Sequence, residues 1–263
     1  MPPARALRFL LGPVLALALA AAPACAGAEW APDVKAALAY AHTRKGEVRF
    51  AVRTDEHLWG YRRTAGVKSA SVVKALFLVA YLDDPRVRGR RLRAADHRLI
   101  DPMIRRSDNA AAWRVLAYVG PARVRAVARR VGMHRFRLDA VIWGRSRIDA
   151  SEQTRFFLHF EAHVVARHRA TALHLLRTIV PSQRWGVARV RPEGWRLYFK
   201  GGWGSGRGLV DHQVALLRAG AERVAVAVLT TVNPDHDYAK QTLRGIFARL
   251  LRGLDLQLVP TPT

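Results

Sequence analysis

Ser71 and Lys74 stand three residues apart in Ser71-Val72-Val73-Lys74, at the head of an apolar run that reaches Tyr81. Side chains at this spacing project from one face within one helical turn. A serine hydroxyl is a poor nucleophile until a neighbouring base takes its proton, and a lysine becomes that base when burial and nearby cations depress its pKa. Arginine cannot replace it, because a guanidinium stays protonated. Only six of the 44 basic residues in this chain are lysine, so a lysine at position 74 is informative. A helix starting here also aims backbone N–H groups at the place where an oxyanion would develop. On its own the pattern is equally an ordinary helix start with a solvated lysine.

Two further groups fit the same chemistry. Ser107-Asp108-Asn109 offers a hydroxyl to shuttle a proton and an amide to hold a substrate amide, although all three residue types also serve as helix N-caps. Lys200-Gly201-Gly202 closes a predicted strand. Its lysine supplies a positive charge for a substrate carboxylate, and Gly202 lets a substrate backbone lie against the strand edge. A strand-terminal turn is the plain alternative.

The elements that must position these groups follow from periodicity. Asp33 to Thr43 reads as a helix, and Val48 to Val52 and Leu58 to Tyr61 as two strands around a turn. Val72 to Tyr81 is a buried helix and Asn109 to Val119 a second. Pro121 to Val131 is a third, with proline at its first position and Gly132 as the stop. Ser151 to Arg177 is one or two more, with Ser151 as N-cap. Trp195 to Phe199, Leu209 to Leu217 and Arg223 to Thr231 read as antiparallel strands, and Tyr238 to Leu251 as a closing amphipathic helix. Strands at both ends with helices between predict an α/β (α+β) fold. Its mainly antiparallel sheet is flanked by helices and carries an inserted all-helical lobe. The expected division is a leader over 1–28 and one domain over 29–263, with the sheet lobe from about 29–65 and 181–255 and the helical lobe about 66–180.

In order and together, the three groups resemble those of penicillin-binding proteins and class A β-lactamases. Met103 to Ala111 is similar to that class's helix entry, and Val232-Asn233-Pro234 before a long helix to its C-terminal end. The resemblance implies that Ser71 is acylated, that Lys74 and Ser107 relay protons, and that Asn109 contacts the substrate amide and Lys74. It places Lys200 near the substrate carboxylate and builds the oxyanion hole from the backbone N–H groups of Ser71 and Trp203. The chain departs from the class in three ways. Gly201 stands where class A enzymes carry a hydroxyl, for which Ser205 or Arg207 are the candidate replacements. The interval from Ser71 to Ser107 is short. No ExxLN motif lies between Asn109 and Lys200, because Arg137-Leu138-Asp139 runs almost directly into Trp143-Gly144-Arg145. The missing glutamate is the one that, in the family, activates the deacylating water, and Asp139, Asp149 and Glu152 are the nearest carboxylates in sequence.

The remaining composition narrows the function classes. Arg5 and Arg8, an apolar run to Ala22 and Ala26-Gly27-Ala28 are ordered as a secretory leader cleaved after Ala28. The run is interrupted by Pro13 and is too short to span a bilayer. The single cysteine, Cys25, lies within this leader, so the expected product is a disulfide-free extracytoplasmic protein, with lipid anchoring through Cys25 as the alternative. The formal charge of +24 invites a nucleic-acid reading, yet the arginines are dispersed and no recognition motif accompanies them. His159, Glu161 and His163 read as a solvated helix face rather than a metal site. Trp185, Trp195 and Trp203 are candidates for a cleft lining. The expectation is therefore an exported serine hydrolase that needs no cofactor or metal and takes β-lactams or D-alanyl peptides. A true β-lactamase with an unrecognised deacylation base and a non-catalytic cell-wall-binding protein are the alternatives.

Overall fold

The computed structural model describes residues 30–205 and 208–255; the leader, Cys25 and Arg207 lie outside them. The chain opens with α1 (Val34–His42), β1 (Glu47–Arg53), β2 (Leu58–Tyr61) and the short β3 (Val67–Lys68). The helical part follows: α2 (Lys74–Leu82), α3 (Pro85–Arg88), α4 (Ala94–Arg105), α5 (Asn109–Val119) and α6 (Pro121–Arg130). After β4 (Arg147–Ile148) come α7 (Ala150–Leu158) and α8 (Arg169–Arg177), then β5 (Arg196–Gly204), β6 (Leu209–Ala219), β7 (Glu222–Asn233) and α9 (His236–Leu250).

Five strands form one antiparallel sheet in the order β2-β1-β7-β6-β5, so the two ends of the chain are joined by the β1–β7 pairing. Val224 to Leu229 in the central strand is an unbroken buried run, as expected of a strand covered on both faces. α9 and α1 cover one face, and α7 packs on β1, β6 and β7. All nine residues of α2 are buried, so this helix is apolar on every side and forms the axis of the helical lobe, packed by α4, α5 and α6. The fold class read from the sequence is the one observed.

Scarce carboxylates start the helices. Asp33, Asp84, Asp108, Asp149 and Asp235 each accept a backbone N–H at the N-terminus of a helix. Asp149, not Ser151, therefore caps α7; its extended backbone lets the carboxylate reach the Glu152 N–H at 2.9 Å. Two other expectations shift. The Val72–Tyr81 helix begins as a 3₁₀ turn over Ala70–Val73 before α2 takes over at Lys74. Lys200-Gly201-Gly202 lies inside β5 rather than at its end, because β6 pairs with β5 as far as Gly204.

Candidate active site

Ser71 sits in the 3₁₀ turn that β5 crosses. Gly202 is the crossing point: a Cβ there would lie 2.8 Å from both the Ser71 and Val72 nitrogens and 3.0 Å from the Ser69 carbonyl. Only a glycine permits this approach, because the obstacles are backbone atoms. Ala70, next to Ser71, adopts φ +42°, and Ser107 adopts φ +58°. Both are left-handed values that L-residues rarely take, and such backbone is characteristically held at functional sites by the surrounding structure.

The turn is tied down from behind. Ser69 N–H donates to the Ser146 carbonyl at 2.6 Å. The fully buried His212 ring on β6 lies 2.9 Å from the Lys68 carbonyl and 3.1 Å from the Thr230 backbone nitrogen. Burial pushes the His212 pKa down to about 4, so the ring bridges the turn and the sheet in its neutral form. Nothing in the sequence pattern singled out His212, since one histidine inside an apolar strand has no local signature.

Asp108 caps α5 by accepting from Ala111 N–H. This settles the competition at the second motif, because the cap is made by the middle residue and its neighbours are left for other contacts. Lys74 Nζ donates to the Ser107 carbonyl at 2.5 Å and to Asn109 Oδ1 at 2.8 Å, and lies 3.4 Å from Ser107 Oγ. Lys200 Nζ donates to the same Ser107 Oγ at 3.0 Å and to the Gly201 carbonyl at 2.7 Å. Both lysines are wholly buried. Burial outweighs the Asp108 charge and brings the Lys74 ammonium down to about 7. Lys200 is held well below the usual lysine range by burial and by Lys74. Lys74 also lies 4.7 Å from the centroid of the Trp143 ring.

Over these groups opens a cleft of about 340 Å³. Ser71, Ser107 and Asn109 form its chemical floor; Trp203, Gly204 and Ser205 contribute from β5, and Ile142, Trp143, Gly144 and Arg145 from the loop before β4. Ser205 is thus present at the cleft. Lys68 adds to the charged lining, and no aspartate or glutamate is among the described lining residues. Of the tryptophans considered, Trp203 lines the cleft and Trp185 packs edge-on against it at 6.1 Å. Trp195 is core, with its Nε1 donating to the Leu254 carbonyl. Trp143 stands on the cleft side of the shortened loop, a position its spacing after Asp139 alone did not disclose.

The carboxylates nearest in sequence to the shortened loop are engaged elsewhere. Asp139 accepts from Val141 and Ile142 N–H and so folds the loop. Asp149 is paired with Arg135 at 2.9 Å, and Glu152 accepts from the Arg135 N–H at 2.8 Å. His159, Glu161 and His163 do not share one helix face, because α7 ends at Leu158 and a 3₁₀ turn follows. His163 is stacked on Phe156 rather than solvated, and burial lowers its pKa to about 4. Glu161 pairs with Arg218.

An antiparallel sheet carrying an inserted helical lobe, with a serine and two buried lysines at their junction, is the architecture of the serine β-lactamase type. Residues 87–253 match the model described as the Beta-lactamase enzyme family, and the chain belongs to that family. The match begins after Ser71 and Lys74. Among solved structures, the chain is similar to a β-lactamase from Sphaerobacter thermophilus with 21% identity and a TM-score of 0.73, over 87% of this chain and 98% of that one. It is similar also to an ancestral class A β-lactamase, with 18% identity and a TM-score of 0.72, over 83% and 98% respectively. At these identities the likeness establishes the fold. No curated protein sequence matches the chain.

Proposed function

We propose that this protein is a serine acyl hydrolase in which Ser71 takes the acyl group of a β-lactam or a D-alanyl peptide and releases it slowly. The observation that carries this reading is the state of Lys74: a buried amine poised to lose its proton near neutral pH, one turn from the cleft serine. A neutral amine has two N–H bonds and one lone pair. The bonds to the Ser107 carbonyl and Asn109 Oδ1 use both N–H groups, leaving the lone pair for the Ser71 proton.

In this reading Ser71 Oγ attacks the amide carbonyl as its proton passes to Lys74. The backbone N–H groups of Ser71 and Trp203 receive the oxyanion. When the C–N bond breaks, the proton moves from Lys74 through Ser107 Oγ to the departing nitrogen. Asn109 holds the substrate amide. Lys200, hydrogen-bonded to Ser107, keeps that hydroxyl oriented and faces the substrate carboxylate. Hydrolysis of the resulting ester requires a base for water. Among the described residues no carboxylate lines the cleft, so in this reading Lys74 or Ser107 serves, as the first of them did in acylation. An extracytoplasmic location, expected from residues 1–28, suits substrates of this class.

The decisive experiment is intact-protein mass spectrometry after exposure to benzylpenicillin. The expected result is one penicillin added per chain, mapped to Ser71 and absent from Ser71→Ala. No adduct and no hydrolysis would overturn the reading and leave a cell-wall-binding protein with this fold.

A further inference from the structure

Two kinds of cation belong to the site. Lys74 and Lys200 are wholly buried and engaged with Ser107, Asn109 and Gly201. Lys68, from β3, and Arg145, from the loop before β4, line the cleft itself. These two segments are fastened together by the Ser69–Ser146 hydrogen bond and by the pairing of Lys68 with Arg147. They therefore present their cations from one connected wall. Lys68 and Arg145 are exposed, and among the described residues neither side chain makes a hydrogen bond or an ion pair.

Lys68 and Arg145 line one cleft with no carboxylate among its described lining residues, and like charges at close quarters repel unless an anion joins them. Elsewhere in this chain the arginines around acidic groups are paired: Arg123 and Arg130 with Asp83, Arg90 with Asp96, Arg135 with Asp149. At the cleft the anion is left to the ligand. Ile142, Trp143 and Trp203 supply hydrophobic lining to the same cleft, so the matching ligand portion has an apolar body and a terminal negative charge.

We propose that Lys68 and Arg145 bind a second carboxylate, carried on the acyl side of the substrate, and that the site favours dianionic acyl donors over monoanionic ones. This rests on the acyl-transfer reading above. A substrate carboxylate beside the scissile amide faces Lys200 and Ser205, and the second one reaches the β3–β4 wall across Ser71.

Two measurements test the proposal, one with chemistry and one without. The first compares the rate of Ser71 acylation by carbenicillin, which bears an extra carboxylate on its acyl side chain, with that by benzylpenicillin. In the protein with both Lys68→Gln and Arg145→Gln, the carbenicillin-to-benzylpenicillin ratio is expected to fall about five- to tenfold, as for loss of two partly solvated charge contacts. In the unsubstituted protein the ratio is expected to fall with added salt. A ratio that ignores both substitutions and salt overturns the proposal while benzylpenicillin labelling leaves the acyl-transfer reading standing. The second measures equilibrium binding of succinyl- and acetyl-D-alanyl-D-alanine to Ser71→Ala protein, which needs no acylation. Tighter binding of the succinyl peptide, lost with Lys68→Gln and Arg145→Gln, supports the anion site even if no penicillin reacts. Equal binding of the two peptides overturns it.

Discussion

Lys200 Nζ donates to Ser107 Oγ at 3.0 Å across 93 residues of sequence. The same oxygen lies 3.4 Å from Lys74 Nζ. One hydroxyl therefore stands between a lysine on the sheet and a lysine in the helical lobe. Ser107→Ala is expected to lower the rate of penicillin acylation by about 10² to 10⁴, the usual value of a positioned proton-transfer group, with the fold retained by circular dichroism. Acylation within threefold of the unsubstituted protein would remove Ser107 from the proton path.

Replacing Lys74 by alanine or by arginine is expected to abolish labelling by a fluorescent penicillin. Arginine keeps the charge but cannot give up its proton. Ser71→Ala is expected to behave likewise. A fully labelled Lys74→Arg protein would exclude the lysine as the base.

Acylation is expected to depend on pH in a direction set by the same residue. The active form is the neutral amine, and burial has lowered the pKa of Lys74 to about 7. The rate should therefore rise with pH through about 7 and level off above it, falling about tenfold for each unit below. A rate profile flat from pH 5 to 8 would contradict a titrating Lys74.

Among the described residues no carboxylate lines the cleft, so the acyl-enzyme is expected to persist. Intact mass followed over time, beside nitrocefin hydrolysis in excess substrate, should show an accumulating adduct and slow turnover. Asp139→Asn, Asp149→Asn and Glu152→Gln are expected to leave the adduct lifetime unchanged, since these carboxylates fold a loop, cap a helix and bind Arg135. Rapid multiple turnover that one of the three substitutions eliminates would falsify this and identify the base.

Gly202→Ala is the backbone test. Its methyl group would meet the Ser71 and Val72 nitrogens at 2.8 Å, and β5 would have to withdraw from the turn. A displacement of this kind, on the order of 1 Å, can cost about 10² in rate. Labelling should drop accordingly, with secondary structure unchanged by circular dichroism. Normal labelling would show that the turn yields without loss.

Much of this site was legible from residue type and order. The helix starting at Asn109 was read at its observed bounds, because Asp108 and an apolar repeat mark both its start and its face. The structure brings the three motifs together at one cleft. α4 was not anticipated: its buried Ile100, Met103 and Ile104 are interspersed with Arg98, Asp101 and Arg105, and Pro102 lies within it. The extent of β5 was underestimated because glycines at 201 and 202 signal a turn, whereas here they mark the close approach of two backbones. Lys68, Trp143 and Arg145 reach the cleft through tertiary packing of β3 against β4, which two-residue strands do not announce.

The pairing of β1 with β7 has a kinetic consequence. Glu47 and Thr231 are hydrogen-bonded partners 184 residues apart, so the central seam of the sheet joins the first strand made to the last. Such non-local contacts demand loop closure before they return any stabilisation, and they slow folding. Until β7 is in place, β1 has no sheet partner but the short β2, and the β5–β6 pair that crosses the Ser71 turn is not yet joined to it. The two halves of the sheet therefore meet late, through the pairing of β7 with both β1 and β6.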